Sequence, residues 1–322
     1  EERKEFRETM QLANTVRAAE PWKKLYDADI FGVEDPATKE LSVISVLGAG
    51  KEVYAIHVHR PPNGLAFWKM AFLGENVMDP GATLQMTSMV EVEFLNKATM
   101  EAPDLALYKH VGVPTPAKGR QRWVRFRSYR PRCFPWFCPA VDLKLLRRGM
   151  RLALRYLALA QESGDDVSFF PSHTSSGKCP KRLKVFRLPA GQPEDIADKW
   201  ELEEIAVDWD GCEPEKEIFQ PSEFEQTRMA KAPKREDIWE VGATLMSSGV
   251  ITAEGPVMPF LAMACSILGG DVPPKPNFIA EATATETQTI WECLVANIDE
   301  QGFCPAEIRV TSDAAYEMLA PF

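Results

Sequence analysis

The chain has 322 residues, 45% of them hydrophobic, and a formal net charge of -10 at pH 7. This length and composition indicate one large or two ordinary globular domains, and 17 Phe and 8 Trp exclude a disordered chain, which would be poor in aromatic residues. The acidic balance argues against a protein that coats nucleic acid or an anionic membrane, and no apolar run approaches the ~20 residues of a membrane-spanning helix.

The cysteines and the first residues bear on localisation. Seven cysteines, an odd and scattered set, do not form the pattern of a disulfide framework. The first residues show no basic and then apolar leader. We therefore expect a reducing, cytoplasmic setting and no membrane partner.

The first hundred residues alternate between helical and strand patterns. Apolar residues at helical spacing predict a helix over 1–19, which Pro21 ends. Three antiparallel strands are predicted in 27–33, 41–48 and 52–60. A helix over 63–73, a strand over 89–96 and a helix from Pro103 to Gly112 follow.

The short sequence "VLGAGKEVYAI" at 46–56 partly matches two nucleotide-binding loops, the phosphate loop and the glycine-rich loop of kinases. A phosphate loop needs an earlier glycine, a Ser or Thr after the lysine and then a helix, but Glu52 follows Lys51 and a strand pattern comes next. A kinase loop needs a third glycine, and the later His-Arg-Asp and Asp-Phe-Gly motifs do not occur. The sequence predicts a hairpin turn.

The middle of the chain concentrates positive charge. Residues 118–155 hold twelve Lys or Arg and one acid, Asp142. In the predicted strand 123–129, side chains alternate between faces, so Val124 and Phe126 are predicted to enter the core. The opposite face carries Trp123, Arg125, Arg127 and Tyr129, which we predict to point outward.

An amphipathic helix is predicted over 140–160. Its apolar stripe is Val141, Leu145, Leu152, Tyr156 and Leu159, and its basic stripe is Lys144, Arg148, Arg151 and Arg155.

The remainder of the chain predicts a second set of elements. Strands are predicted in 182–188 and 200–209, within an acidic and partly linker segment at 193–217. A β pair in 238–246 and 258–268, a helix over 286–298, a strand over 306–310 and a short helix capped by Ser312 follow. The fold class is thus α+β, with antiparallel sheets, flanking helices and two modules, 1–230 and 236–322. The second module is similar in element order to an RNase H-like core, but its strand pair offers only Glu240 to the several carboxylates that two-metal chemistry needs.

The basic strand and helix are the main candidate ligand site. Arginines interleaved with aromatic rings suit phosphate and bases, which makes Trp123, Arg125, Arg127, Tyr129, Arg148 and Arg151 candidate ligand-binding residues. The alternative is internal neutralisation, because residues 193–240 hold 16 acids against six bases and Arg–carboxylate pairs would use the same side chains. The acidic chain and the lack of a nucleic-acid motif favour the internal pairing.

Metal ligands are sparse. Cys133, Cys138, His173 and Cys179 are the right residue types for zinc, but their spacing lacks a short Cys-x2-Cys knuckle. His57 and His59 share one face of a strand without an evident third ligand. We therefore expect no metal and no cofactor, and no catalytic residue is assigned.

Two stretches carry a resemblance. Residues 21–56, "PWKKLYDADIFGVEDPATKELSVISVLGAGKEVYAI", and 123–142, "WVRFRSYRPRCFPWFCPAVD", resemble an uncharacterised bacterial family. The C-terminal third of this chain is similar to a companion module of unknown function. The chain departs from the family pattern at Arg132, where Gly often follows the Pro, and at Asp142, where Glu is usual. The resemblance implies a bacterial, cytoplasmic protein of two modules and transfers no catalytic residue.

Two functional hypotheses follow. The first is a non-enzymatic binding protein that uses its basic, aromatic strand–helix surface for a protein or an anionic ligand, with nucleic acid not favoured. The second is an enzyme of nucleic-acid metabolism, degenerate or dependent on unrecognised carboxylates.

Overall fold

The computed structural model describes residues 2–74, 87–116, 123–164, 169–170, 178–212, 218–246, 248–252, 255–269, 276–279 and 284–321. The chain divides into two compact units. The first unit comprises Glu1–Pro131 and Pro135–Pro214, and the second comprises Arg132–Phe134 and Glu215–Phe322. The module boundary predicted near 230–235 stays a prediction.

The first unit is built on a seven-stranded sheet with the order β5-β4-β3-β2-β1-β6-β7. Its strands are β1 Phe31–Glu34, β2 Leu41–Leu47, β3 Ala55–His59, β4 Met89–Leu95, β5 Trp123–Tyr129, β6 Arg182–Arg187 and β7 Glu201–Ala206. Its helices are α1 Glu2–Ala19, α2 Asn63–Leu73, α3 Ala102–Val111 and α4 Ala140–Glu162. The α+β prediction is confirmed. The sheet is mixed rather than antiparallel throughout, because β6 returns from a long crossover to lie parallel to β1.

The turn between β2 and β3 is a hairpin connection, as predicted. The two strands pair antiparallel from Val43–His59 to Leu47–Ala55. Gly48 has a φ of 142°, and a Cβ there would lie 2.7 Å from Trp22 Cβ, so only glycine fits this position. Because a strand follows the turn, no helix N-terminus is available to a phosphate.

Helix α4 covers one face of this sheet. Its fully buried side chains include Leu146, Met150 and Tyr156, which join the strand side chains in the main core. The predicted apolar stripe is wrong at its start, because Val141 is 69% exposed. The buried stripe begins instead at Leu143 and repeats at three- and four-residue intervals.

Gly149 marks the closest approach of α4 to the sheet. A Cβ at this position would overlap the Val58 side chain of β3. Gly149→Ala is therefore expected to lower the free energy of unfolding by about 1–3 kcal/mol through overpacking, although alanine by itself favours a helix. Denaturant unfolding measures this loss. The matched control is Gly50→Ala, where a Cβ meets nothing within 4 Å, and an equal loss in both variants would contradict the packing argument.

The second unit has a four-stranded sheet, β12-β11-β8-β13, and a two-stranded one, β10-β9. Its elements are α5 Glu223–Lys231, β8 Lys234–Leu245, β9 Val250–Thr252, β10 Gly255–Val257, β11 Phe260–Ser266, β12 Asn277–Ile279, α6 Glu286–Gln301, β13 Cys304–Val310 and α7 Asp313–Leu319. The β pair and the Ser312 cap of α7 are confirmed. β13 runs parallel to β8 and the other pairs of the larger sheet are antiparallel; an RNase H-like topology stays a prediction.

No helix in the described part of the chain is both long and apolar enough to cross a membrane.

Candidate functional site

The predicted arginine strand is β5, and its alternation is as expected. Val124 and Phe126 enter the main core, where Phe6 of α1 packs edge-on against Phe126. The opposite side does not point outward, however: Trp123 and Arg127 are only 5% and 6% exposed. The reason is helix α3, whose Tyr108 ring lies 5.2 Å from the Trp123 ring.

Tyr108 also closes the edge of the sheet. Its hydroxyl donates to the Val124 carbonyl at 2.8 Å and accepts from the Val124 amide at 3.0 Å. Burial of the phenol raises the pKa of Tyr108 to about 12, so the hydroxyl keeps its proton at physiological pH. The outermost strand of this side thus has part of its free backbone satisfied within the unit.

We call the sheet face opposite α4 the charged face, and define it by His57, Glu91, Glu93, Arg125 and Arg127. Strand register aligns Ser45, His57, Glu91 and Arg127 in one row across β2, β3, β4 and β5. Glu93 and Arg125 face each other in the next row. The pairing of four neighbouring strands therefore brings these side chains together.

The two arginines of the charged face are occupied by carboxylates. Arg127 binds Asp104 of α3 through two parallel contacts of 2.7 and 2.8 Å, and both side chains are less than 10% exposed. Arg125 binds Glu93 at 2.6 Å through its second terminal nitrogen and at 2.8 Å through Nε. Both Arg125 contacts reach one oxygen, Glu93 Oε2. The Arg127–Asp104 pair uses both carboxylate oxygens, and such a forked pair is the strongest form of charged hydrogen bond.

A second group on the charged face centres on Glu91. One oxygen of Glu91 lies 2.8 Å from His57 Nε2, and the other accepts from the Tyr129 hydroxyl at 2.8 Å. Burial alone would raise the pKa of Glu91, but the hydrogen bond and charge of His57 and the hydrogen bond of Tyr129 outweigh burial and lower it. Burial and then the nearby Glu91 charge raise the pKa of Tyr129 and keep it a donor.

His59 is the last residue of β3 and contacts aromatic side chains of α2. Its ring stacks on Phe67 with centroids 4.7 Å apart and meets Trp68 edge-on at 5.7 Å. Burial, followed by the neighbouring His57, lowers the pKa of His59 well below its ordinary value. Its Nε2 atom is buried without a hydrogen-bond partner among the described residues, so His59 is a neutral, desolvated imidazole.

The basic residues of α4 are also paired in part. Arg148 binds Asp35 at 2.8 Å and also Glu194, and Arg155 lies 3.7 Å from Asp198. Arg151 is half-buried and makes no ion pair with a described residue. Lys118, Arg120 and Arg122 lie outside the described residues.

The arginines of β5 and α4 are thus mainly paired within the protein, but the sequence predicted only some of their acidic partners. The partners of the strand arginines come from β4 and α3, not from 193–240. Only the α4 partners Glu194 and Asp198 belong to that acidic segment. Whether Trp123, Arg125, Arg127, Tyr129, Arg148 and Arg151 bind a ligand stays a prediction.

The weak zinc candidates do not form a described cluster. Cys133 belongs to the second unit, where its backbone forms an isolated β-bridge with Val257. Cys138 and Cys179 belong to the first unit. His173 lies outside the described residues. Burial raises the pKa of the Cys138 thiol, which disfavours the thiolate form that a metal needs. Across the described ranges, no group of three or more His, Cys, Asp or Glu side chains is placed to hold a metal ion.

The second unit contains a groove that sequence reasoning missed. It lies between α5 and the end of α6 and has a volume of about 550 Å³. Its lining is mainly apolar, with two basic side chains and one acidic side chain among the polar residues: Phe224, Thr227, Arg228, Met229, Lys231, Ala232, Val295, Ile298, Asp299 and Gly302. Phe224 is 75% exposed. The available signal was the capping box of Ser222 and Glu225, which marks a helix start.

The comparisons with known proteins agree with the two-module interpretation. Residues 6–175, just over half of the chain, match the family described as Domain of unknown function (DUF7309), and residues 225–322 match Domain of unknown function (DUF6930). The chain therefore belongs to the first of these families and carries a module of the second behind it. The predicted resemblance to a two-module family of unknown function is confirmed. No curated protein and no solved structure matches the chain.

Proposed function

We propose that this protein acts by binding another protein, and that the binding surface is the groove between α5 and α6. The observation that carries the proposal is the exposed apolar side of this groove, with Phe224 75% exposed at its edge. A phenylalanine beside an apolar concavity is what a partner's side chains would bury. Catalysis is not part of the proposal.

The charged face favours a protein partner over an anionic ligand, because carboxylates of the same chain already occupy its arginines. A phosphate or another anionic ligand would have to displace Asp104 from Arg127 and Glu93 from Arg125. The Asp104 side chain is buried, at 4% exposed, and the Glu93 side chain is 13% exposed, so displacement would leave a largely desolvated charge without its partner. The same pairing leaves the carboxylates of this face poorly accessible to a substrate, which weighs against the enzyme hypothesis.

Site-specific photo-crosslinking tests the proposal directly. The photoreactive residue p-benzoylphenylalanine replaces Phe224 in the full chain expressed in a bacterial host, and cells are illuminated. We expect protein adducts from position 224 that disappear when Ala232→Arg closes the groove. The matched control places the same residue at Tyr316, which is 66% exposed and does not line the groove. Equal adduct patterns at both positions, or none at either, would overturn the proposal.

Nucleic-acid binding gives a second expected result. Fluorescence anisotropy with single-stranded DNA and RNA, measured across salt concentrations, is expected to show weak binding with a shallow salt slope, because Arg125 and Arg127 of the charged face are already paired with carboxylates and phosphate contacts are what produce the slope. Arg125→Ala is expected to leave this binding unchanged. A steep slope that Arg125→Ala reduces by about one counterion would favour a phosphate-binding surface instead.

The proposal also places the protein in the bacterial cytoplasm. None of the seven cysteines forms a disulfide, which suits a reducing compartment. Fractionation of a bacterium that carries the gene, with an antibody against the chain, tests this placement, and recovery from an oxidising compartment would contradict it.

A further inference from the structure

We infer that the occupant of the α5–α6 groove is a second copy of this chain, docked through antiparallel pairing of the two α5 helices about a two-fold axis. This inference rests on the proposed function, because it names the partner of the same groove.

The exposed residues of α5 form a continuous stripe beside the groove. Phe224, Thr227, Arg228 and Lys231 line the groove and are exposed. Their spacing of three and four residues places them on one side of the helix. Met229 of the same helix packs into the core of the second unit and also lines the groove, so the helix is anchored while its exposed stripe borders the groove.

The charges of α5 are divided between its two ends. Glu223 and Glu225 lie in the first turn and Arg228 and Lys231 in the last. Glu225 is taken by the capping box with Ser222, and Arg228 pairs with Asp299 at 3.2 Å. Glu223 and Lys231 are exposed and make no ion pair with a described residue, so one charge of each sign remains at opposite ends of the helix.

Antiparallel pairing of two such helices is self-complementary. A two-fold axis near Thr227 places Glu223 of each copy beside Lys231 of the other, which creates two symmetric ion pairs. It also places each Phe224 ring towards the apolar part of the other groove, around Ala232 and Val295. The two Arg228 side chains meet near the axis, where each is neutralised by its own Asp299.

The size of the helix limits the affinity. A nine-residue helix and one groove make an interface at the small end of the range for specific complexes. We therefore expect a reversible dimer, populated at concentrations on the order of 100 μM and above. Sedimentation equilibrium of the full chain across this range measures the association.

Phe224→Ala is expected to weaken dimerisation at least about tenfold, because aromatic residues that fill a partner's pocket dominate such interfaces. Tyr316→Ala is the matched control, and it removes an exposed aromatic residue that lies outside the groove. We expect it to leave the association unchanged.

A charge exchange tests the antiparallel geometry. Glu223→Lys alone or Lys231→Glu alone places like charges together at both contacts, and each is expected to weaken the dimer about tenfold. An equimolar mixture of the two single variants restores opposite charges at both contacts in the mixed dimer, and so does the double variant in its homodimer. Both are expected to associate as the wild type does. Thermal unfolding of each variant shows that the fold is retained.

The outcomes separate this inference from the proposed function. Association that the mixture fails to restore overturns the antiparallel pairing. A wild-type chain that stays monomeric to about 1 mM, while position 224 crosslinks to a different protein, overturns the second copy and leaves the proposed function standing. A monomeric chain with no adduct at position 224 overturns both.

Discussion

Arg127→Ala is expected to lower the free energy of unfolding by about 3–5 kcal/mol, because it leaves the Asp104 carboxylate buried without its partner. The pair joins two elements of the first unit, β5 and α3, through contacts of 2.7 and 2.8 Å. The Arg127 guanidinium also lies over the Phe137 ring, 5.3 Å from its centroid, so packing is lost with the charge. Equilibrium unfolding in urea measures the change.

Two further variants make this result specific to burial. Arg127→Met combined with Asp104→Leu removes both charges and is expected to recover most of the loss, since an apolar pair of similar volume often replaces a buried ion pair without cost. Arg182→Ala breaks a pair of the same 2.7 Å length with Glu204, but those side chains are 59% and 39% exposed. Its expected cost is below about 1 kcal/mol.

The same series decides between the two roles considered for Arg127. A ligand-binding arginine held open to solvent would lose its function on substitution while the protein kept its stability. A loss in Arg127→Ala as small as that in Arg182→Ala would therefore contradict the structural role and return Arg127 to the candidate binding residues.

The sequence predicted the elements of the first unit better than their contacts. Alternation along β5 correctly assigned Val124 and Phe126 to the core, because a strand's period of two is a local property. It did not reveal that α3 covers the other side of β5. Asp104 lies 23 residues before Arg127, and only the tertiary placement of α3 brings their charges together.

Charge counting had a similar limit. It correctly indicated that a basic block in an acidic chain would find internal partners, but it assigned those partners to 193–240. Cross-strand pairing instead supplies Glu93 to Arg125, and strand register is set by tertiary packing rather than by total charge. The groove of the second unit escaped prediction for the same reason, since the exposure of Phe224 depends on how α5 sits against α6.

The second large effect concerns pH and His59. The folded protein keeps His59 neutral, because burial, followed by the charge of His57, lowers its pKa well below the ordinary value of 6.5. In the unfolded chain the imidazole returns to that ordinary value. Between 6.5 and the lowered pKa, the unfolded chain therefore binds a proton that the folded chain does not. The contribution of neutral His59 to the free energy of unfolding is fully present above about pH 7 and is lost as the pH falls through this window. The reason is that the free energy of unfolding rises with pH wherever the unfolded state binds more protons.

His59→Phe is expected to remove this contribution, which amounts to as much as about 1.4 kcal/mol per pH unit. Phenylalanine keeps an aromatic ring against Phe67 and Trp68 and has no proton to bind. Urea unfolding at intervals from pH 7.5 to 5 is expected to give a shallower decline for this variant than for the wild type. His110→Gln is the matched control, because His110 is exposed, and it should reproduce the wild-type slope. If His59→Phe and the wild type decline in parallel, His59 takes up its proton within the folded protein, and the acid sensitivity of this fold must come from its carboxylate pairs instead.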